Sequence, residues 1–185
     1  MDKFFYPRSI VVIGASVNRL NLGHIIVLNN RQKGYEGNIY GVGREEGEIA
    51  GAPVYDSVDK IPEIPDVAII ISPAQTVPDF MENCGRKGIK HIVIESGGFS
   101  EYSEGQNVLE EKVLEIAERY GMRFIGPNCI GTVNFDIKMM MPFGFFPATP
   151  AGGRVAMIVQ SGGGGSSYLG EFGDNAIIPG KFAAI

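Results

Sequence analysis

Residues 9–27 read SIVVIGASVNRLNLGHIIV, and this stretch decides the class of fold. The apolar run Ser9–Ile13 predicts a buried strand, and the residues from Leu22 onward predict a helix. Between them, Gly14-Ala15-Ser16 forms the strand-to-helix turn at which nucleotide-binding folds hold phosphate. The dinucleotide fingerprint G-x-G-x-x-G is absent, because its second and third glycines would fall on Ser16 and Arg19. The stretch therefore predicts a phosphate loop and leaves its ligand open.

The same alternation of apolar runs and helical segments continues along the chain. Five runs predict parallel strands, at Ser9–Ile13, Asn38–Val42, Asp66–Ile71, His91–Ile94 and Arg123–Ile125. Helices are predicted between them, roughly at Leu22–Gly34, Thr76–Lys87 and Gln106–Tyr120. Because the strands are nearly all apolar rather than alternating, both faces of the sheet should be covered. The expected fold is therefore α/β, a doubly wound, Rossmann-like parallel sheet.

A second unit is predicted near the end of the chain. The Pro/Gly-rich segment 139–153 is typical of a linker between domains. Residues 154–185 then give a further strand, a glycine-rich turn, a helix and the apolar run Lys181–Ile185. One such unit cannot bury both faces of its own sheet, so we expect the incomplete beginning of a second, flavodoxin-like α/β domain. The first domain is accordingly expected to span residues 1–138.

Composition narrows the class of partner. The 185 residues are 44% hydrophobic and 20% charged, as in ordinary globular proteins. The net charge of -5 argues against a sequence-independent nucleic-acid binder, which needs a basic face. Neither a secretory signal nor an apolar run of about 18 residues is present, which argues against a membrane partner. Cys84 and Cys129 lack metal-ligand spacing, so we expect reduced thiols and a cytoplasmic location.

The tip of the second predicted strand gives information about the ligand. An NAD site usually carries an acidic residue there, which accepts hydrogen bonds from the ribose, but this sequence has Gly43-Arg44. A basic residue suits a phosphorylated ribose, which favours either NADP or coenzyme A (CoA) with its 3′-phosphate. A solvated arginine beside Glu45 and Glu46 is the structural alternative.

The remaining loops carry binding rather than catalytic signals. Gly97 and Gly98 follow the fourth strand, and the corner Pro127-Asn128-Cys129 follows the fifth. The two histidines are His24, at the start of the first helix, and His91, at the start of a strand. No Ser/His/Asp set, metal-ligand cluster or Tyr-x-x-x-Lys pair is present in the sequence. The pattern favours a chain that binds a ligand rather than one that reacts with it.

Taken together, the loops resemble one family over nearly the whole chain and in the same order. The family is that of the NDP-forming acyl-CoA synthetases, which include ADP-forming acetate–CoA ligases and the succinyl-CoA synthetase alpha subunit; this chain is similar to their CoA-binding domain. The motifs are SIVVIGAS (9–16), GNIYGVGRE (37–45), GAPVYDSVDKIPEIPDVAIIISPAQTVPDF (51–80), ESGGFSE (95–101), GPNCIGTVN (126–134) and IVQSGGGGSS (158–167).

The resemblance implies a set of CoA contacts. The residues implied at the CoA phosphates are Gly14, Ala15, Ser16, Asn18, Asn21, Gly23 and Arg44. Those implied near the adenine and the pantetheine arm are Pro73, Ala74, Gln75, Ile94, Glu95 and Ser96. Those implied near the thiol are Pro127, Asn128 and Cys129. A helix start that stabilises a phosphorylated intermediate is implied at Gln160, Ser161 and Gly162.

The resemblance also implies a reaction. In this family an acid and ATP give an acyl phosphate, the CoA thiol displaces phosphate, and the phosphate passes through a histidine to ADP. Neither His24 nor His91 matches the motif of that histidine. We therefore expect the histidine, and the ATP-grasp part that binds ATP/ADP and Mg, to belong to other domains or to a beta subunit. The 185-residue chain is expected to be inactive by itself, and a homo-oligomer is possible.

Two positions depart from the family pattern. Gly163-Gly164-Gly165 replaces larger residues and should weaken the helix start, and Arg44 stands where a lysine is usual. Three other functions remain open: a stand-alone CoA-binding or regulatory module without catalysis, an NADP-dependent oxidoreductase, and a redox-sensing NAD-binding module. The missing fingerprint and Arg44 count against the last two.

Overall fold

The computed structural model describes residues 2–99, 107–144, 153–171 and 179–185. Its larger sheet has seven strands, which are β1 (Ser9–Ile13), β2 (Asn38–Val42), β3 (Gly47–Ile49), β4 (Ala52–Tyr55), β5 (Val67–Ile70), β6 (His91–Ile94) and β7 (Arg123–Ile125). Their order across the sheet is β3-β4-β2-β1-β5-β6-β7. Only the edge strand β3 runs antiparallel to its neighbour; the other neighbouring pairs are parallel. The five predicted strands are present, and the β3–β4 hairpin was not predicted.

Helices cover both faces of this sheet. They are α1 (Asp2–Phe5), α2 (Leu22–Lys33), α3 (Val77–Lys87) and α4 (Asn107–Tyr120), with short 3-10 turns at Val58–Lys60 and Ala74–Thr76. Along β1, Val11 and Ile13 pack into the core that faces α3 and α4. Ile10 and Val12 pack into the opposite core, which α1 and α2 cover. Every residue of β1 is buried, so the predicted doubly wound α/β fold is confirmed.

A second, smaller sheet joins the end of the chain to its middle. It contains β8 (Gly131–Asn134), β9 (Met139–Met140), β10 (Val155–Val159) and β11 (Pro179–Ala184), in the order β10-β11-β8-β9. The helix α5 (Gly162–Glu171) connects β10 to β11, which run parallel, whereas β8 is antiparallel to β11 and to β9.

The segment that the sequence assigns to a linker begins inside this second sheet. Met139 and Met140 form β9, and Met141 is buried in the core next to α2. Residues 145–152 of the segment lie outside the described residues. The C-terminal unit therefore pairs with β8, which lies within the predicted first domain, and the domain boundaries stay a prediction.

The part of the chain that the structure describes contains no helix long and apolar enough to cross a membrane.

Candidate functional site

Three clefts follow one another along the carboxyl ends of the parallel strands. The first, of about 540 Å³, lies between the loops after β1, β2 and β5. The second, of about 430 Å³, shares Asn21, Ile71, Ser72 and Pro73 with the first. The third, of about 460 Å³, shares Glu95, Asn128 and Phe143 with the second. We call the three together the groove, and it follows the sheet edge at which open α/β folds bind ligands.

The loop after β1 is fixed against the neighbouring strands. The backbone N–H groups of Gly14 and Ala15 both donate to the carbonyl oxygen of Val42, at 2.8 and 3.0 Å. Gly14 has a φ of +98°, and a Cβ there would lie 2.1 Å from the carbonyl oxygen of Ile71, so only glycine fits. Because these two amides are already bonded, a phosphate in the first cleft would meet the groups that follow them.

Asn21 and His24 connect this loop to α2. The Asn21 side chain donates to the carbonyl oxygen of Gly14 at 3.0 Å and accepts from the backbone N–H of His24 at 2.9 Å. It thereby caps α2 and holds the loop in place. His24 is buried, and its Nδ1 lies 3.0 Å from the carbonyl oxygen of Ser16. Since a carbonyl only accepts, Nδ1 must carry the proton, and His24 supports the loop.

Arg44 is the cationic side chain of the first cleft. Among the described residues that line this cleft, no other lysine, arginine or histidine is present, and Arg44 itself forms no ion pair with a described residue. The carboxylate of Asp56, also in the lining, is bonded to Lys60 at 2.8 Å. Arg44 is exposed and therefore available to an anionic ligand.

The loops after β5, β6 and β7 are bonded to one another. The backbone N–H of Ser72 donates to Ser96 Oγ at 3.0 Å, and the backbone N–H of Asn128 donates to the carbonyl oxygen of Ser96 at 3.0 Å. The Thr76 hydroxyl donates to Ser72 Oγ at 3.0 Å. Ser96 thus sets the spacing between the loops at the middle of the groove.

Glu95 is a buried carboxyl in the lining of both the second and the third cleft. Its residue surface is 5% exposed, and neither carboxyl oxygen has a hydrogen-bond partner among the described residues. Burial raises the pKa of Glu95 well above its usual value. The neighbouring Cys129 thiol donates to the carbonyl oxygen of Ile94 at 3.4 Å. Burial and the proximity of Glu95 raise the pKa of this thiol to about 12, so it is not a reactive thiolate.

The far end of the groove is the start of α5. Gln160, Ser161 and Gly162 line the third cleft together with Gly163 and Ser166. Ser161 Oγ accepts the backbone N–H of Gly164 at 3.1 Å, which caps the helix. No acidic residue occupies the first turn of α5, so its positive end is not compensated locally.

Most of the predicted site residues lie along the groove. Those in the lining are Gly14, Ala15, Ser16, Asn21, Arg44, Pro73, Glu95, Ser96, Asn128, Cys129, Gln160, Ser161 and Gly162. Those near it but outside the lining are Asn18, Gly23, Ala74, Gln75, Ile94 and Pro127. Gly23, for example, is buried where a Cβ would lie 2.9 Å from the Cα of Ala15, so it allows α2 to approach the loop. Whether each residue contacts CoA stays a prediction.

Several lining residues were not predicted. Ser72 lies two residues after β5, and its place between the predicted strand Asp66–Ile71 and Pro73 could have indicated it. Asp56 and Phe80 reach the first cleft from the ends of other elements, and no sequence signal singles them out. Phe143 lines two clefts, although it lies in the segment that the sequence assigns to a linker. Its position depends on β9, which only the folded chain reveals.

Comparison with known proteins identifies the family. The family described as CoA binding domain matches residues 8–134, which is more than half of the chain and includes most of the groove. The chain belongs to the CoA-binding-domain family. The predicted family and its CoA-binding function are thereby confirmed, and nothing found supports an oxidoreductase or a redox sensor.

Relatives of this CoA-binding domain are ADP-forming ligases. Acetate–CoA ligase (ADP-forming) I of Archaeoglobus fulgidus is 43% identical over 162 residues, which are 88% of this chain and 23% of that protein. The alpha subunit of acetate–CoA ligase (ADP-forming) I of Pyrococcus furiosus is 40% identical over 174 residues, 92% of this chain and 37% of that subunit. Over most of its length the chain is thus similar to ADP-forming acetate–CoA ligases, and it spans less than half the length of these relatives.

A solved structure agrees with the fold described here. The dinucleotide-forming acetyl-coenzyme A synthetase 1 of Ca. Korarchaeum cryptofilum, in complex with phosphate and ADP, has a TM-score of 0.91 and 31% identity. The match covers 100% of this chain and 39% of that one. Within the described residues, no group of three or more His, Cys, Asp or Glu side chains could hold a metal ion.

Proposed function

We propose that CoA lies along the groove, with its 3′-phosphate at Arg44 and its thiol toward the start of α5. The single observation that carries this orientation is the distribution of charge along the groove. One end carries Arg44 beside the phosphate loop, and the other end is the positive terminus of a helix. The middle is lined by neutral groups and a buried carboxyl, which suits the uncharged pantetheine arm better than a phosphate.

For the whole enzyme we propose the ligase reaction: acid, CoA and ATP give acyl-CoA, ADP and phosphate. The acyl phosphate would form first, the thiol would displace its phosphate, and a histidine would carry that phosphate to ADP. Because His24 is buried beneath the phosphate loop and His91 begins β6, we assign that histidine to another part of the enzyme. The contribution of this chain is to hold CoA and to offer the start of α5 to phosphate.

The nucleotide and its Mg would bind elsewhere, on an ATP-grasp domain or beta subunit. The name of the P. furiosus relative, an alpha subunit, supports a partner subunit. A cytoplasmic location is also proposed, and the two buried, unpaired cysteines are in keeping with a reducing compartment.

The test is calorimetric titration of the chain with CoA, dephospho-CoA, NADP and NAD. We expect Arg44→Glu to weaken CoA binding about tenfold or more, because it removes a charge-assisted contact and adds a repulsive one. Binding of dephospho-CoA should change much less, since that ligand lacks the 3′-phosphate. The loss for CoA should also shrink at high salt.

Arg86→Glu is the matched control, because it makes the same charge change at the end of α3 that lies away from the groove. It should leave both affinities unchanged. Equal losses of CoA and dephospho-CoA in Arg44→Glu would contradict the role of Arg44. Preference of the unmodified chain for NADP over CoA would contradict the proposed function itself.

A further inference from the structure

Asp56 lies beside the tip of β2, although it follows a different strand. β4 pairs in parallel with β2, with Val42 opposite Tyr55, and the backbone N–H of Gly43 donates to the carbonyl oxygen of Tyr55 at 2.9 Å. Asp56 is the next residue after β4, so it reaches the same sheet edge as Gly43, and both residues line the first cleft. The acidic residue that β2 lacks at its end is thus supplied by the neighbouring strand.

An ion pair holds Asp56 and keeps it apart from Arg44. Lys60 Nζ lies 2.8 Å from Asp56 Oδ2 and 2.7 Å from Glu46 Oε1, so one lysine is shared by two carboxylates. Asp56 Oδ1 accepts no hydrogen bond from a described residue, and the side chain is 44% exposed. One oxygen of Asp56 is therefore fixed, the other is open to a ligand, and Arg44 is not neutralised by either.

A cation and an open carboxylate at adjacent strand ends can distinguish two neighbouring groups on a ribose. A guanidinium attracts a phosphate, whereas a carboxylate repels a phosphate and accepts a hydrogen bond from a hydroxyl group. CoA carries these two groups side by side, because its 3′-phosphate is next to a free 2′-hydroxyl. The phosphorylated ribose of NADP carries them in the reverse positions, with the phosphate on the 2′-oxygen.

We propose that Asp56 accepts a hydrogen bond from the ribose 2′-hydroxyl of CoA and excludes ligands that carry a 2′-phosphate. This inference rests on the proposed binding of CoA with its 3′-phosphate at Arg44. Asp56 is thus a specificity-determining residue of the first cleft. Arg44 supplies the attraction for a phosphate, and Asp56 determines which ribose oxygen carries that phosphate.

The experiment compares three small ligands, each measured by its displacement of CoA from the chain. They are adenosine 3′,5′-bisphosphate, its 2′-deoxy form and adenosine 2′,5′-bisphosphate. We expect the unmodified chain to bind the first about fivefold more tightly than the 2′-deoxy form, which lacks the hydrogen bond to a charged group. It should bind the first about tenfold or more tightly than the 2′,5′-bisphosphate, whose phosphate would meet the carboxylate.

Two variants of Asp56 separate the hydrogen bond from the charge. Asp56→Ala removes the acceptor, so it should bind adenosine 3′,5′-bisphosphate and its 2′-deoxy form equally. Asp56→Asn keeps the size of the side chain and removes the repulsion, so it should bind the 2′,5′-bisphosphate about threefold or more tightly than the unmodified chain does.

Asp59→Asn is the matched control, because it makes the same charge change at an exposed position outside the lining of the first cleft. It should reproduce all three affinities of the unmodified chain. Since Asp56 is also exposed and a surface ion pair contributes little to stability, the thermal unfolding midpoints of all the variants should agree closely.

The outcomes separate this inference from the proposed function. A 2′-deoxy penalty that persists in Asp56→Ala would overturn the hydrogen bond to Asp56, and an unchanged affinity of Asp56→Asn for the 2′,5′-bisphosphate would overturn the exclusion. Failure of the unmodified chain to prefer the 3′,5′-bisphosphate, or of that ligand to displace CoA, would also overturn the inference while CoA binding stands. Absence of CoA binding by the unmodified chain would overturn the proposed function and this inference together.

Discussion

Glu95, which the resemblance places near the CoA arm, follows β6, and its carboxyl is buried. A carboxylate without a partner at this depth would cost several kcal/mol, whereas the neutral acid costs only the loss of its hydrogen bonds to water. The smaller cost decides which form is present. Asp66 shows the opposite balance. Burial raises the pKa of Asp66, but hydrogen bonds from Lys3 and from the backbone N–H of Arg8 lower this pKa by more than burial raises it.

The stability of the chain should therefore depend on pH through Glu95. Its pKa is raised in the folded state above the value of 4.5 for an unperturbed glutamate, so the folded state binds the proton more tightly than the unfolded state. The resulting stabilisation is complete below the unfolded pKa and is lost as pH rises through the folded pKa. Relative to Glu95→Gln, the unmodified chain should become less stable as pH rises above the unfolded value of 4.5 and through the raised folded value.

Urea unfolding of both proteins across this range measures the difference. Because every other titrating group is common to both, the difference in unfolding free energy isolates Glu95. A constant difference across the range would show that Glu95 is not protonated preferentially in the folded state.

At the level of elements, α5 is the weakest helix by sequence, since it begins with four glycines. Their environments differ. A Cβ on Gly163 would meet open space, whereas a Cβ on Gly165 would lie 2.6 Å from Phe182 Cζ and 2.9 Å from Val159 Cγ2. Gly165 therefore allows α5 to pack closely on its sheet, and Gly163 contributes only flexibility to the helix start.

The two glycines form a matched pair for mutation. Gly163→Ala should raise the free energy of unfolding by up to about 1 kcal/mol, because alanine has the higher helix propensity. Gly165→Ala should lower it by about 1–3 kcal/mol through overpacking against Phe182. Thermal unfolding followed by circular dichroism measures both. If the two changes had the same sign, the packing assigned to α5 would be wrong.

At the level of the whole molecule, a few buried polar contacts connect the two sheets. The Asn30 side chain, on α2, donates to the carbonyl oxygen of Met140 at 2.5 Å and accepts its backbone N–H at 2.9 Å. From β8, the Thr132 hydroxyl donates to the carbonyl oxygen of Phe4 at 2.6 Å, and the Asn134 amide donates to that of Phe5 at 2.8 Å. These bonds explain why the second sheet is held against the helices of the first.

Asn30→Ala should consequently destabilise the molecule by about 2–4 kcal/mol, because it leaves both polar groups of Met140 buried and unpaired. Gln32→Ala, an exposed position on the same helix, is the control and should change stability by less than about 0.5 kcal/mol. Chemical unfolding of the three proteins gives the comparison. A small effect of Asn30→Ala would mean that the contact between α2 and β9 contributes little to the stability of the fold.

The second sheet also has an open side. Its edge strand β10 exposes Val155 and Ile158, the latter 73% exposed, whereas Phe182 of β11 is fully buried. The incomplete second domain predicted for residues 154–185 stays a prediction. The sequence does not predict that β11 pairs with β8, because an antiparallel pairing between distant segments leaves no local pattern in the sequence.

The sequence by itself determined the alternation of strands and helices, because apolar runs and 3.6-residue periodicity are local properties of the chain. It also determined the loops that meet at one sheet edge, since parallel strands bring their carboxyl ends together. Only the tertiary structure decided that Phe143 lines the groove, that β8 pairs with β11, and that Glu95 is buried without a hydrogen-bond partner among the described residues. Each of these depends on residues far apart in sequence, and burial and electrostatic environment exist only once those residues are packed together.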